Sequence, residues 1–197
     1  MGRPYIVAIE GVDGCGKSTV IDQLREHFHD AMFAHFPTRS TAPGRLIHDY
    51  LTGNDVVQGE DLLELFLLDM YSFLSLYVYP VGGVWIFDRY IHSTLVYQPV
   101  LSGLGRDRIR DLASSLGVCF PDIAIYLRVD ISTALERLSS RTNINRLDKD
   151  PRVLESVISG YDELSRAGYL VTVDATQPVD KVVSACVDIV RKGVING

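Results

Sequence analysis

The chain has 197 residues, 47% of them hydrophobic and 22% charged, which supplies enough apolar surface for one packed domain and excludes a globally disordered chain. With 19 Lys and Arg against 25 Asp and Glu, the formal net charge is −6. That balance argues against a general nucleic-acid binder, so any anionic ligand must be held by a local cluster of cations.

Strand and helix signals alternate along the chain, the pattern of a parallel sheet covered by helices. Tyr5–Glu10 reads as a buried strand, its apolar run too short for a signal peptide. Lys17–His29 reads as a helix with Val20, Ile21, Leu24 and Phe28 on one face, Met32–Phe36 as a second strand, and Pro43–Leu51 as a short helix begun by proline. Gln58–Tyr79 reads as a long apolar helix. Glu64 and Asp69 interrupt the apolar segment from Leu62 to Val84, which makes a buried helix the better reading than a membrane span. Val84–Asp88 is the third expected strand, followed by helical stretches to Leu116, then a strand over Asp122–Val129 and a helix from Ser132 to Ser140. Arg141–Asp150 is polar, basic and weakly periodic, a loop expected to lie over a site. A helix over Pro151–Ala167, a strand over Tyr169–Val173 and a helix over Val179–Lys192 complete the pattern. No internal repeat or linker divides the chain, so a single domain is expected. Cys15, Cys119 and Cys186 are too few and too scattered for a disulfide framework, and no Cys/His spacing suggests zinc. A soluble protein of a reducing, cytoplasmic compartment is expected, with neither nucleic acid nor membrane as partner.

Gly11-Val12-Asp13-Gly14-Cys15-Gly16-Lys17-Ser18-Thr19 fits G-x-x-x-x-G-K-[ST] between a strand and a helix, the setting of a phosphate-binding loop. Glycines let the backbone curl so that N–H groups point inward, and the helix N-terminus adds positive potential. Lys17 would reach the β- and γ-phosphates and Ser18 would ligate Mg²⁺. Cys15, inside this loop, reads as a packed, inert thiol. Asp88, closing the third strand, is the expected second acidic group near the metal and its water shell. The next residue is Arg89, where a hydrolytic motor would carry a Glu. Arginine cannot act as a base but neutralises phosphate, which favours transfer to a bound acceptor over hydrolysis.

Glu10-Gly11-Val12-Asp13-Gly14, Phe36-Pro37-Thr38-Arg39, Leu65 to Asp69, Asp88-Arg89-Tyr90, Ser93 to Gln98, Pro121-Asp122, Asn145-Arg146-Leu147-Asp148, Gly160-Tyr161 and Val173-Asp174-Ala175 occur in an order and spacing that resembles the thymidylate kinases over nearly the whole chain. The resemblance implies an α/β P-loop kinase with a five-stranded parallel sheet flanked by helices on both faces and a short mobile lid at about residues 140–150. It implies phosphorylation of dTMP to dTDP with ATP and Mg²⁺, on the route to dTTP, by a homodimer.

The resemblance also carries roles onto residues. Asp13 would contact the sugar 3′-hydroxyl, with a loop-capping Asp the plainer alternative. Arg39 and Arg89 would clamp the acceptor phosphate, as guanidinium forks suit phosphate oxygens. Phe36 and Phe66 would line the acceptor side, Phe66 stacking on the pyrimidine, and Tyr97 would select deoxyribose. Ser93, Thr94 and Gln98 are candidates for contacts to the base, or for packing and capping. Gly14 stands where one branch of the family has Arg, so the lid must supply the arginine for the transferred group. Arg146 and Arg141 are the candidates, with Arg141 alternatively lying against the adenine; Arg137 and Arg152 flank them. Met70 replaces the Arg that donates to the base carbonyl in the family. Since a thioether donates no hydrogen bond, a kinase of altered or broader base specificity is the alternative.

Overall fold

The computed structural model describes residues 2–53, 57, 59–139 and 150–196. Five short runs rich in β-branched and aromatic residues form one sheet: β1 (Tyr5–Glu10), β2 (Met32–His35), β3 (Val84–Asp88), β4 (Ile123–Arg128) and β5 (Val171–Asp174). Every pairing is parallel, in the order β2-β3-β1-β4-β5. Successive strand residues face opposite sides, and Val7, Ala8 and Ile9 are all fully buried. Both faces of the sheet are therefore covered, as a parallel sheet requires.

The cover comes from α1 (Lys17–His27), α2 (Ala42–Thr52), α3 (Gly59–Phe73), α4 (Tyr79–Val81), α5 (Ile91–Ser102), α6 (Arg106–Ser115), α7 (Ile131–Ser139), α8 (Pro151–Arg166) and α9 (Val179–Asn196). Helices α1 and α9 pack on each other and on β1 and β4; α3, α5 and α8 form a second packed set. Val20, Ile21 and Leu24 recur on one face of α1 and are buried, each contributing about 1.5–3 kcal/mol by leaving water. Local chemistry starts the helices: the Thr41 hydroxyl accepts from Gly44 N–H to cap α2, and the Asp150 carboxylate accepts from Arg152 N–H to cap α8, each followed by proline in the first turn.

The element boundaries depart from expectation for physical reasons. The long apolar helix does not run uniformly: α3 widens into a π-helical turn over Leu74–Val78 just before Pro80, whose ring offers no N–H to the ladder. This stretch, 59–81, is the one helix among the described residues long and apolar enough to cross a membrane. Leu62, Leu63, Leu67, Met70, Phe73, Leu74 and Val78 are buried in the protein, as a core helix requires. Strand β5 begins at Val171 rather than Tyr169, because Tyr169 N–H still bonds Leu164 O to finish the turn that ends α8.

The chain steps from β1 to β2 on one side and from β3 across β1 to β4 on the other. The strand order thus reverses at β1, and ligands of open α/β sheets bind beyond the strand C-termini at such a point. The register sets Ile9 beside Asp88 and Asp88 beside His35. Glu10, Asp88 and His35 therefore share that C-terminal edge.

Candidate active site

The loop after β1 is built from its own backbone. Gly11, Gly14 and Gly16 have φ of 142°, 84° and 101°, conformations that side chains disfavour. A Cβ on Gly14 would also lie 2.9 Å from Ala134 O and 3.2 Å from Leu138 Cγ of α7. That contact explains why no arginine stands there: α7 already fills the space. Lys17 is nearly buried, and its Nζ donates to Gly11 O at 3.0 Å and Val12 O at 2.9 Å. Its ammonium is thereby held over the loop. Ser18 and Thr19, in the first turn of α1, are exposed. From α7, Arg137 donates to Cys15 O at 3.5 Å and Ala175 O at 3.1 Å, tying the loop to the segment after β5. Arg152, in the first turn of α8, is instead exposed and pairs with Asp150. Cys15 is buried, in keeping with a packed thiol.

Asp13 connects this loop to a second cluster. Its Oδ1 lies 3.6 Å from Lys17 Nζ and accepts a close hydrogen bond from Arg89 Nη2. Arg89 follows β3 in the left-handed region, φ 64°, unusual for a side-chain-bearing residue. Its N–H bonds Ile9 O at 3.0 Å, its Nη1 donates to Ser93 Oγ at 3.3 Å, and its guanidinium lies 5.2 Å from the Tyr97 ring centre. One carboxylate is thus shared by the loop's lysine and the arginine of the next turn.

Asp88 carries the features a metal ligand needs. Burial pushes its carboxyl up, but the His35 hydrogen bond and the charges of Lys17, His35 and Arg89 outweigh it and hold the group below its ordinary value. Oδ2 lies 3.2 Å from His35 Nδ1, while Oδ1 is buried with no hydrogen-bond partner among the described residues. An ionised carboxylate with one buried oxygen lacking a partner among the described residues fits a hydrated Mg²⁺.

Arg39 lies on an exposed turn after β2 that a buried carboxylate pins from behind. Asp69, on α3, accepts from Thr38 N–H at 2.7 Å, from Thr38 Oγ1 at 2.8 Å and closely from Thr41 Oγ1. Gly44 lets α2 close on this turn, since a Cβ there would fall 2.1 Å from Thr38 O. Phe66 is half-buried on α3. Phe36 and Met70 are 2% exposed and belong to the core, Phe36 packing edge-on against Phe73 and Phe87. Thr94 and Gln98 are buried on α5, and Gln98 Oε1 has no hydrogen-bond partner among the described residues. Arg141 and Arg146 lie outside the described residues.

Sequence reasoning missed Glu10 and Tyr161 as members of this site. Glu10 is fully buried at the end of β1 and accepts hydrogen bonds from the Arg89 turn, Ser93 and Tyr161. An acidic residue closing an otherwise apolar strand was the available signal.

Comparison with known proteins gives the family of the chain. The family described as "Thymidylate kinase" matches residues 9–186. A thymidylate kinase of Finegoldia magna is 30% identical over 199 aligned positions, covering 94% of this chain and 97% of that protein. One of Fervidobacterium nodosum is 26% identical, covering 89% and 93%. A solved thymidylate kinase structure from Candida albicans superposes with a TM-score of 0.75 at 23% identity, covering 96% of this chain and 92% of that one, and shows the same fold. The matched span takes in the Gly11–Thr19 loop, strands β2 to β5 and the Asp88-Arg89 turn together, and the chain therefore belongs to the thymidylate kinase family.

Proposed function

We propose that the protein transfers the γ-phosphoryl group of ATP to dTMP, forming dTDP for dTTP synthesis. The observation that carries this reading is Asp13 held between Lys17 and Arg89, since it puts a loop for one polyanion beside a guanidinium for another. The Gly11–Thr19 loop binds the ATP phosphates with its inward N–H groups and Lys17. Arg89 and Arg39 hold the acceptor phosphate, whose oxygen is already ionised near neutral pH and needs no general base. Catalysis then rests on alignment and charge neutralisation. Ser18 and Asp88 would hold Mg²⁺, which when bound offsets charge on the β- and γ-phosphate oxygens.

The same reading gives Asp13 the sugar 3′-hydroxyl, Phe66 the pyrimidine face and Tyr97 the exclusion of ribose. Gln98 Oε1, a buried acceptor with no hydrogen-bond partner among the described residues, suits the thymine N3–H, with Thr94 on the same helix. Arg141 and Arg146, on the 140–150 lid of a single kinase domain, would close over the transferred group. Tyr71, Leu76, Tyr77, Tyr79 and Val81 are exposed along one helical stretch, and such an apolar surface supports a homodimer. A cytoplasmic enzyme fits its three free cysteines. ADP release measured across dTMP, dUMP, dCMP and dGMP tests the proposal: a dTMP preference in kcat/KM is expected. Equal rates would put Met70 in charge of a relaxed specificity, and no diphosphate product with any acceptor would defeat the kinase reading.

A further inference from the structure

We infer that Glu10 is the positioning residue of the acceptor clamp: it fixes both the backbone and the guanidinium of Arg89. This rests on the kinase reading above and extends it to a residue that touches no substrate.

Four donors converge on the Glu10 carboxylate. Oε1 accepts from Tyr90 N–H at 2.9 Å and Ser93 N–H at 3.4 Å; Oε2 accepts from Ser93 Oγ at 2.6 Å and Tyr161 OH at 3.1 Å. The carboxylate is fully buried and the nearby guanidinium of Arg89 bonds other groups, so it is retained against a substantial desolvation cost. Three of its four donors belong to the residues just after Arg89.

The consequence for Arg89 is direct. Its own N–H bonds Ile9 O and the following N–H bonds Glu10, so the peptides on both sides of this left-handed residue are tied to β1. A positive φ on a side-chain-bearing residue persists only where surroundings over-determine it, and these two bonds do so. Glu10 also takes the Ser93 hydroxyl proton, which turns the Ser93 lone pairs toward Arg89 Nη1 at 3.3 Å. Tyr161, stacked on Tyr126 with ring centres 5.0 Å apart, completes the carboxylate's shell from α8.

Glu10 immediately precedes the phosphate loop, which makes the test discriminating. If Glu10 merely supported the core, its loss would damage ATP and acceptor binding alike. Steady-state kinetics and ATP titration on Glu10→Gln and Tyr161→Phe separate the cases. Glu10→Gln keeps the shape but offers an amide to Ser93 and Tyr161; assayed at about pH 8, where the carboxyl with its pKa raised to about 7 is ionised, a KM for dTMP raised about tenfold or more with a lower kcat is expected, since charge-assisted bonds are lost, while ATP affinity changes less than about threefold. Tyr161→Phe, which leaves the Ser93 and Tyr90 bonds, should raise the dTMP KM by about two- to fivefold by the loss of one hydrogen bond. Unchanged dTMP kinetics, or ATP affinity falling in step with the dTMP KM, would overturn the assignment. Should Glu10→Gln not fold, unchanged dTMP kinetics in Tyr161→Phe would do the same. Wild-type protein that turns over no monophosphate would instead defeat the kinase reading on which the inference stands.

Discussion

The donor and acceptor halves of the proposed site are held by different means. The donor half is made of one contiguous run, Gly11 to Thr19, whose glycines adopt φ values other residues avoid and whose lysine is anchored on the loop's own carbonyls. The acceptor half is assembled from side chains far apart in sequence. Arg39 sits on a turn pinned by Asp69, and Arg89 on a turn pinned by Glu10, with Ser93, Tyr97 and Tyr161 around it. A backbone cradle suits a triphosphate tail that many proteins share. A side-chain clamp held by buried carboxylates can instead be shaped for one acceptor. Asp13, between Lys17 and Arg89, is where the halves meet.

Each half should be separable from the other by substitution. Arg89→Ala should cut kcat/KM for dTMP by about 10³ or more, the scale of an arginine on a phosphoryl-transfer site, while ATP affinity measured by titration stays nearly intact. Gly14→Ala should do the reverse: its Cβ meets Ala134 O at 2.9 Å, and ATP affinity should fall about 10- to 100-fold through loop strain, with dTMP binding to the nucleotide-free protein little changed. Equal losses of both ligands in either variant would contradict the division.

A smaller effect sharpens it. Burial pushes the Glu10 carboxyl up to about 7 from an ordinary 4.5. Its folded form therefore binds the proton more tightly, so its contribution to stability is fully present below pH 4.5 and is lost as pH rises through about 7. His92, buried on α5, is pushed the other way, to about 4 from 6.5, by burial and then by the charge of Arg110. Its contribution is present above pH 6.5 and is lost as pH falls through about 4. Between pH 4.5 and 6.5 the two slopes oppose each other, each about 1.4 kcal/mol per pH unit at most. Glu10→Gln removes one of them, so in denaturant titrations the variant should lose stability on acidification over this range more steeply than wild type. Parallel pH profiles would show that Glu10 is not protonated as described.

What the sequence disclosed follows the same division. The Gly11–Thr19 loop was legible because a local spacing specifies it, and it lies between β1 and α1 as expected. The five strands were legible because buried parallel strands are short apolar runs. Glu10 was read only as the end of a strand, since its donors lie 80, 83 and 151 positions away and no local pattern reports such contacts. Asp69 stood out as a charge unsuited to a bilayer, yet its work of holding Thr38, 31 residues away, needed the tertiary fold. Arg137 looked like one more basic residue near a loop until α7 brought it to Cys15 and Ala175.

In the proposed reaction two phosphate-bearing ligands meet at Asp13. A crystal structure with ADP and dTMP bound tests it most directly. The diphosphate should occupy the Gly11–Thr19 loop, with the monophosphate facing it and held by Arg89 with Arg39. Arg89 directed away from the dTMP phosphate, or a monophosphate bound elsewhere on the molecule, would contradict it.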